Sequence, residues 1–181
     1  MLPELTTERL WLEPRAPKDL EDCLAMDSDI EVRRHITPEF RDNFDAGRYR
    51  EELGQRMAQD FGPGCGYWVL RPRDEPRGFL GIVLLLPMED GSPDVEVGWR
   101  LPRVAWGAGY ASEAARAVLA HGFGNLALDR IVALIKPEND RSLGVARKLG
   151  FSLDGTREAF GTGYEQYGLS RKEFEARAGQ A

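Results

Sequence analysis

The spacing of apolar residues along the chain predicts alternating strands and helices. Residues 9–15 (RLWLEPR) alternate between apolar and polar side chains and are rich in strand formers. Residues 16–26 (APKDLEDCLAM) then place a proline near the start of a helix that carries Leu20, Cys23 and Leu24 on one face. We therefore expect a strand followed directly by an amphipathic helix.

A mainly polar region follows, from residue 27 to residue 66, and its pattern is helical. The segment 43–61 (NFDAGRYREELGQRMAQDF) has the clearest helical spacing, and the sequence PGCG that begins at Pro63 is a strong stop signal. The apolar residues that define this spacing are Phe44, Tyr49, Leu53, Met57 and Phe61.

Three apolar segments then predict sheet strands. The segments YWVLR and FLGIVLLLP flank a turn-like sequence, which indicates a hairpin whose second strand is apolar enough to be central. The third segment, DVEVGWRL, alternates: Glu96, Gly98 and Arg100 share one face, and the apolar residues Val95, Val97, Trp99 and Leu101 share the other. This strand therefore carries a carboxylate on its less apolar face.

The segment 104–123 (VAWGAGYASEAARAVLAHGF) combines a glycine turn with a helix. The apolar run RIVALIK that follows is typical of a buried parallel strand. A strand, a crossover helix and a second strand form a βαβ unit, so the glycine turn lies between the first strand and its helix.

The last part of the chain predicts a further helix and a hairpin. Residues 137–151 (PENDRSLGVARKLGF) read as a helix with Asn139 or Asp140 as its N-cap and Gly150 as its stop signal. Residues 152–170 are expected to form a terminal β-hairpin, and residues 171–181 a polar tail that frays.

Composition narrows the classes of protein that fit. The chain of 181 residues has the size of one domain, residues 1–181, and its net charge of −6 with scattered basic residues argues against nucleic acid as a partner. It has no apolar run long enough to span a membrane, and its N-terminus is unlike a secretory signal, so we expect a cytoplasmic protein. Cys23 and Cys65 have no metal-ligand spacing, and we expect no metal site.

The glycine turn has the features of a phosphate site. Gly107 and Gly109 can adopt positive φ, and Ala111 keeps the first helical turn bare, so an anion can reach the free amides of the helix N-terminus. The alternative is a helix start whose glycines only tighten the turn. A Rossmann dinucleotide site fits less well, because the third glycine is replaced by Ser112 and the next strand lacks a clear ribose-binding acid.

The strand with a carboxylate, the sequence WGAGYASEA and the segment PENDRSLGVARKLGF together resemble the GNAT acetyltransferase superfamily. More narrowly, the chain resembles the RimJ/RimL-like branch, which includes N-terminal acetyltransferases of ribosomal proteins. The opening LTTERLWLEPRAPKDLEDCLAM and the ending YGLSRKEF extend this resemblance over nearly the whole chain.

The resemblance implies an α/β (α+β) fold in which helices flank a mixed central sheet, splayed between its fourth and fifth strands with acetyl-CoA in the opening. It places the pyrophosphate loop on residues 106–111, and the pantetheine arm beside Val97 and Trp99. Asn139 corresponds to a family asparagine that contacts the cofactor, and it is equally suited to cap a helix. The residues of the implied loop are Trp106, Gly107, Ala108, Gly109, Tyr110 and Ala111.

The resemblance also implies where the chemistry takes place. Acetyl transfer needs a neutral amine and a proton for the departing thiolate, and Glu96 is the candidate base, with an exposed strand carboxylate as the alternative. Many members carry a tyrosine as general acid where this chain has Ala146, and the RimJ/RimL-like branch suggests Ser142 instead. Tyr164 and Tyr167 are alternative proton donors.

The acceptor is expected between the helical region 29–61 and the last hairpin, and it is either a protein N-terminal amine or a small-molecule amine. The family often forms homodimers. Two other functions stay open at this point: an acyl-CoA-binding regulatory protein without turnover, suggested by Ala146, and a nucleotide-binding module.

Overall fold

A computed structural model describes residues 1–178, and its centre is one mixed sheet of eight strands. The strands lie in the order β1-β2-β3-β4-β5-β6-β8-β7, and every neighbouring pair is antiparallel except β5 and β6, which are parallel. Their bounds are β1 Leu5–Thr6, β2 Leu10–Pro14, β3 Gly66–Pro72, β4 Gly81–Pro87, β5 Val95–Arg100, β6 Arg130–Ile135, β7 Ser152–Ala159 and β8 Thr162–Ser170. The predicted mixed α/β architecture is confirmed.

Seven α-helices flank this sheet within the described residues. They are α1 Leu20–Ser28, α2 Ile30–Arg33, α3 Pro38–Asp42, α4 Ala46–Met57, α5 Tyr110–Gly124, α6 Asp140–Leu149 and α7 Arg171–Ala178, with two short 3₁₀ turns at Pro17–Asp19 and Arg103–Ala105. None of the helices in residues 1–178 is both long and apolar enough to cross a membrane.

Hydrophobic side chains form two clusters. The larger one packs α5 and α6 against the sheet and includes the fully buried Trp68, Val118 and Leu119. The smaller one packs α1 and α4 through Cys23 and Leu53 against strand residues. Burial of apolar surface contributes roughly 25 cal/mol per Å², so these clusters hold the helices that frame the site.

The parallel pair β5 and β6 separates soon after it forms. Its one register pair among the described residues is Glu96 with Val132, and the residues that follow this pair in both strands line a common cavity. A two-residue β1 precedes the first predicted strand, so β5 and β6 are the fourth and fifth strands of the sequence-based prediction. The sheet therefore opens between β5 and β6, the pair of strands for which the resemblance implies a splay.

The helix within residues 43–61 is shorter at both ends than the sequence predicts. Helix α4 covers only residues 46–57. It begins at Ala46 because the Asp45 carboxylate accepts a hydrogen bond from the Arg48 amide at 2.7 Å and caps the helix there. Phe44 and Phe61 lie outside the helix and pack instead against tyrosine rings.

The expectation of a fraying tail after residue 170 is wrong for residues 171–178, which form α7. Ser170 and Glu173 make reciprocal hydrogen bonds at the start of this helix, as in a capping box. The ring of Phe174 lies 5.2 Å from that of Phe123, between ring centroids, and attaches α7 to the main core. The rest of the predicted tail lies outside the described residues.

Candidate active site

The glycine turn between β5 and α5 exposes its backbone. Gly107 and Gly109 have φ values of +78° and +85°, a region that glycine adopts without steric cost. A Cβ on Gly107 would meet no atom within 4 Å, and a Cβ on Gly109 would meet only Arg9 Nη2, at 3.5 Å. The turn ends at the N-terminus of α5, where no side chain caps the free amides. Both positions thus leave room for a ligand close to the main chain.

Arg9 anchors the turn from the start of the sheet. Its Nη1 donates to the Ala108 carbonyl oxygen at 3.0 Å, its Nε donates to the Glu113 carboxylate at 2.7 Å, and its guanidinium lies 4.7 Å from the centroid of the Tyr110 ring. Thr7 donates a further hydrogen bond to Glu113. These contacts fix both the turn and the first part of α5 relative to β2.

A cavity of about 690 Å³ runs from this turn into the opening between β5 and β6. Its volume is within the usual range for sites that bind small molecules and cofactors. The residues predicted to bind the cofactor line it, with the exception of Ala108, whose carbonyl is bound to Arg9. Those lining residues are Val97, Trp99, Trp106, Gly107, Gly109, Tyr110, Ala111 and Asn139.

Glu96 lines the cavity at the point where the two strands separate. Burial raises the pKa of its carboxyl to about 7, and the nearby charge of Glu89 acts in the same direction. A backbone hydrogen bond from Leu134 and the charge of Arg157 oppose this rise in pKa. A carboxyl with this pKa can be deprotonated near neutral pH and can still accept a proton, as a general base must.

Asn139 and Ser142 lie at the N-terminus of α6, on the opposite side of the opening. The Asn139 side-chain oxygen accepts a hydrogen bond from the Ser142 amide at 3.2 Å, so Asn139 caps the helix. Both residues line the cavity. The capping bond holds Ser142 in the first turn of α6, on the cavity wall.

The two candidate tyrosines of the last hairpin lie in different surroundings. Tyr164 lines the cavity, its hydroxyl donates to the Ile36 carbonyl oxygen at 2.8 Å, and burial together with the charge of Glu96 raises its pKa to about 12. The Tyr167 hydroxyl instead donates to the Glu165 carboxylate at 2.7 Å, and its ring packs against the main core. Only Tyr164 of this pair is brought to the cavity wall.

The far end of the cavity lies between the helical region and the last hairpin, where the acceptor is expected. Phe40, Tyr49 and Phe160 line it together with Tyr164. Among the carboxylates of residues 42–52, which could attract a cationic amine, Glu52 lines the cavity but pairs with Arg48 at 2.7 Å, and Asp42 pairs with Arg41. Asp45 caps α4, and Glu51 is exposed.

A buried ion pair joins β5 to the helices at this end. The Arg100 Nη1 donates to both carboxylate oxygens of Asp27 at 2.8 Å, and the Tyr49 hydroxyl donates to the same carboxylate at 2.5 Å. The Asp27 carboxylate raises the pKa of Arg100 despite the opposing effect of its burial, so the guanidinium stays charged. Asp27 was not predicted as a site residue, since its partner is 73 positions away in the sequence.

The residues of this cavity fit acetyl-CoA. The exposed backbone of the turn and the uncapped N-terminus of α5 suit a diphosphate. Beyond the Glu96–Val132 pair, the facing edges of β5 and β6 no longer bond to each other, so backbone groups there can bind an amide-rich pantetheine arm. No group of His, Cys, Asp and Glu side chains in the described part of the chain has the geometry of a metal site.

Comparison with known proteins agrees with this geometry. The family described as "Acetyltransferase (GNAT) domain" matches residues 9–152, which span β2 to the start of β7. The chain therefore belongs to the GNAT acetyltransferase family. Enzymes of this family use acetyl-CoA as the acyl donor, so membership of the family confirms the prediction of acetyl-CoA as cofactor.

Individual relatives and structures support the same family. The chain is 34% identical over 114 residues to "Uncharacterized protein YkkB" of Bacillus subtilis, an alignment that spans 62% of this chain and 65% of that protein. It is 32% identical over 153 residues to "Uncharacterized N-acetyltransferase p20" of Bacillus licheniformis, covering 83% of each. A GNAT-family acetyltransferase structure from Bacillus anthracis superposes with a TM-score of 0.77 at 26% identity, covering 94% of this chain and all of that one.

Proposed function

We propose that the protein transfers the acetyl group of acetyl-CoA directly to a primary amine, with Glu96 as the general base. The observation that carries this proposal is the position of Glu96, a carboxyl with a raised pKa at the point where β5 and β6 separate. The glycine turn lies at one end of the same cavity, and the aromatic residues of the acceptor region lie at the other.

The proposed reaction begins with the acceptor as an ammonium ion. Acetyl-CoA, when bound, supplies an acyl carbon activated as a thioester. Glu96 removes a proton from the ammonium group, directly or through water, and the free amine nitrogen forms its bond to that carbon. The carbon–sulfur bond breaks, and the electron pair leaves with the sulfur. As the amide forms, the nitrogen gives up a second proton, which replaces the one that the donor hydroxyl passes to the sulfur.

The thiolate then needs a proton, and Ser142 is our first candidate for the donor. Its place on the cavity wall at the N-terminus of α6 supports this role. Tyr164 is the second candidate. Its hydroxyl proton is already donated to the Ile36 carbonyl oxygen at 2.8 Å, and that bond would have to break before the proton reached the sulfur, so we rank Tyr164 below Ser142.

The backbone has two supporting roles in this proposal. The amides of the turn, residues 106–111, hold the diphosphate, while Val97, Trp99 and Asn139 border the pantetheine arm. Amides near Gly98, on the splayed edge of β5, polarise the thioester carbonyl. The acceptor is a small-molecule amine or a protein N-terminus, and the resemblance to the RimJ/RimL-like branch supports the second of these.

A non-catalytic acyl-CoA-binding protein is the second candidate function. The specific observation in its favour is Ala146, which is fully buried and stands where many members carry a tyrosine acid. This candidate predicts that acetyl-CoA binds and that no amine is acetylated.

The test of the proposal compares Glu96→Gln with the wild type in acetyl transfer to an amine acceptor. Loss of a general base reduces kcat by about 10²-fold to 10⁴-fold, whereas the affinity for acetyl-CoA should stay near that of the wild type. Glu89→Gln removes a second carboxylate from the cavity wall and is the matched control. Equal kcat values for Glu96→Gln and the wild type would contradict the role of Glu96.

A further inference from the structure

The phosphates of acetyl-CoA pose an electrostatic problem for this chain. The glycine turn carries no basic side chain at Gly107, Ala108 or Gly109, and the chain as a whole has a net charge of −6. Backbone amides alone provide dipoles, whereas phosphate groups in proteins are commonly bound by guanidinium groups that make paired, charge-assisted hydrogen bonds. A cation from another element would complete the site.

Arg141 in the first turn of α6 has the position that this requires. Its guanidinium carbon lies 4.1 Å from the centroid of the Trp106 ring, and both residues line the cavity beside Gly107. Trp106 is itself fixed, because its indole Nε1 donates to the Leu101 carbonyl oxygen at 2.8 Å. The stack therefore holds a positive charge next to the glycine turn.

The guanidinium of Arg141 is also available to a ligand. Within residues 1–178, no carboxylate lies within ion-pair distance of Arg141, whereas Arg100 and Arg9 are bound to Asp27 and Glu113. Stacking uses the face of a guanidinium group and leaves the N–H groups in its plane free to bind oxygen atoms. Trp106 thus orients Arg141 without occupying its donors.

We propose that Arg141, stacked on Trp106, binds a phosphate group of acetyl-CoA and supplies from α6 the charge that the glycine turn lacks. The proposal rests on acetyl-CoA as the donor and is independent of Glu96 and of the acceptor. Its failure can therefore be distinguished from failure of the proposed transfer reaction.

The experiment measures the Kd of acetyl-CoA and of acetyl-dephospho-CoA by isothermal titration, without an acceptor, for the wild type, Arg141→Gln and Arg141→Lys. Arg147→Gln is the matched control, since Arg147 is an exposed arginine of the same helix. Thermal unfolding of each variant without ligand checks that it is folded.

We expect Arg141→Gln to weaken acetyl-CoA binding by about 10-fold to 100-fold, the effect of losing a charged hydrogen bond. Arg141→Lys should restore part of this affinity, because it keeps the charge and loses the planar stack. A similar loss with acetyl-dephospho-CoA assigns Arg141 to the diphosphate, and a loss confined to acetyl-CoA assigns it to the 3′-phosphate; both results support the proposal.

Two results would overturn this role. If Arg141→Gln binds both ligands as the wild type does, Arg141 makes no phosphate contact. If Arg147→Gln weakens binding as much as Arg141→Gln, the effect is one of overall charge and the stack on Trp106 has no specific function.

Discussion

Glu96 of β5 lies opposite Val132 of β6 at the one register pair that joins these two parallel strands. Toward the glycine turn the strands part, and the residues from Val97 to Leu101 line the cavity instead of a closed sheet. The splay thus gives the Glu96 carboxyl access to the cavity, while the sheet around it raises its pKa by burial.

The pKa of Glu96 predicts the pH dependence of transfer. The base must be deprotonated, and burial raises its pKa to about 7, so kcat/KM should rise with pH up to about 7. One unit below this pKa, about a tenth of the carboxyl is deprotonated, and kcat/KM should fall in proportion. Glu96→Gln should lose this limb of the profile, measured from about pH 5 to about pH 9.

Two comparisons make the assignment of this limb specific. In Glu89→Gln the limb should persist and move to lower pH, because the charge of Glu89 raises the pKa of Glu96. Glu96→Gln should also be at least as stable as the wild type at about pH 8, since burial disfavours the charged carboxylate above its pKa. If kcat/KM of Glu96→Gln still rises with pH as it does in the wild type, the titrating group is not Glu96.

Gly109→Val should weaken acetyl-CoA binding more than it affects folding. The added side chain would lie at the open backbone of the turn, where a Cβ has only Arg9 Nη2 within 4 Å. Gly91→Val is the matched control, because Gly91 also has a positive φ, +75°, and lies in the loop after β4. Both variants should lose stability, and only Gly109→Val should lose affinity in a titration with acetyl-CoA. Equal affinities for the two variants would argue against a phosphate site at the turn.

The choice between the two proton donors can be made with Ser142→Ala and Tyr164→Phe. If Ser142 protonates the thiolate, Ser142→Ala should reduce kcat by about 10-fold or more while KM for acetyl-CoA changes little. Tyr164→Phe removes the hydrogen bond to Ile36 and should mainly raise KM for the acceptor. If instead Tyr164→Phe lowers kcat and Ser142→Ala does not, Tyr164 is the general acid.

Arg9→Gln should weaken acetyl-CoA binding although we do not expect Arg9 to contact the cofactor. The Ala108 carbonyl would lose its donor and Glu113 its ion pair, so the turn would be less well ordered before binding. Because this pair is partly exposed, we expect a loss of roughly 1 kcal/mol, or about fivefold in Kd. Arg116→Gln, an exposed arginine of α5, is the control and should bind as the wild type does. Identical Kd values for the two variants would show that the anchor does not affect the turn.

Local patterns were sufficient to predict most of the fold. The alternation around Glu96 and the apolar run from Arg130 to Ile135 predict β5 and β6, and Gly150 ends α6 with a φ of +97° as its stop signal requires. Strand β1 was missed because two residues are too few to show a period. Helix α7 was missed although Ser170 and Glu173 have the spacing of a capping box.

The site was predictable only where its residues are close in sequence or resemble a family motif. The glycine turn is one contiguous segment, whereas Arg9 reaches Ala108 across 99 positions and Arg100 reaches Asp27 across 73. Such contacts depend on how the strands and helices pack, and no periodicity within either segment indicates them. The position of Arg141 could have been predicted, since an N-cap at Asn139 places Arg141 in the first turn of a helix beside the opening.

The central claim is that this cavity transfers an acetyl group to an amine, and the most direct measurement is release of free CoA thiol from acetyl-CoA in the presence of a panel of amines. The panel should include peptides with free N-termini, polyamines, amino acids and aminoglycosides, and mass spectrometry should follow acetylation of the amine. We predict thiol release that depends on the amine and equals the acetylated product in amount. Binding of acetyl-CoA without thiol release for any amine of the panel would contradict this account and favour a non-catalytic acyl-CoA-binding protein.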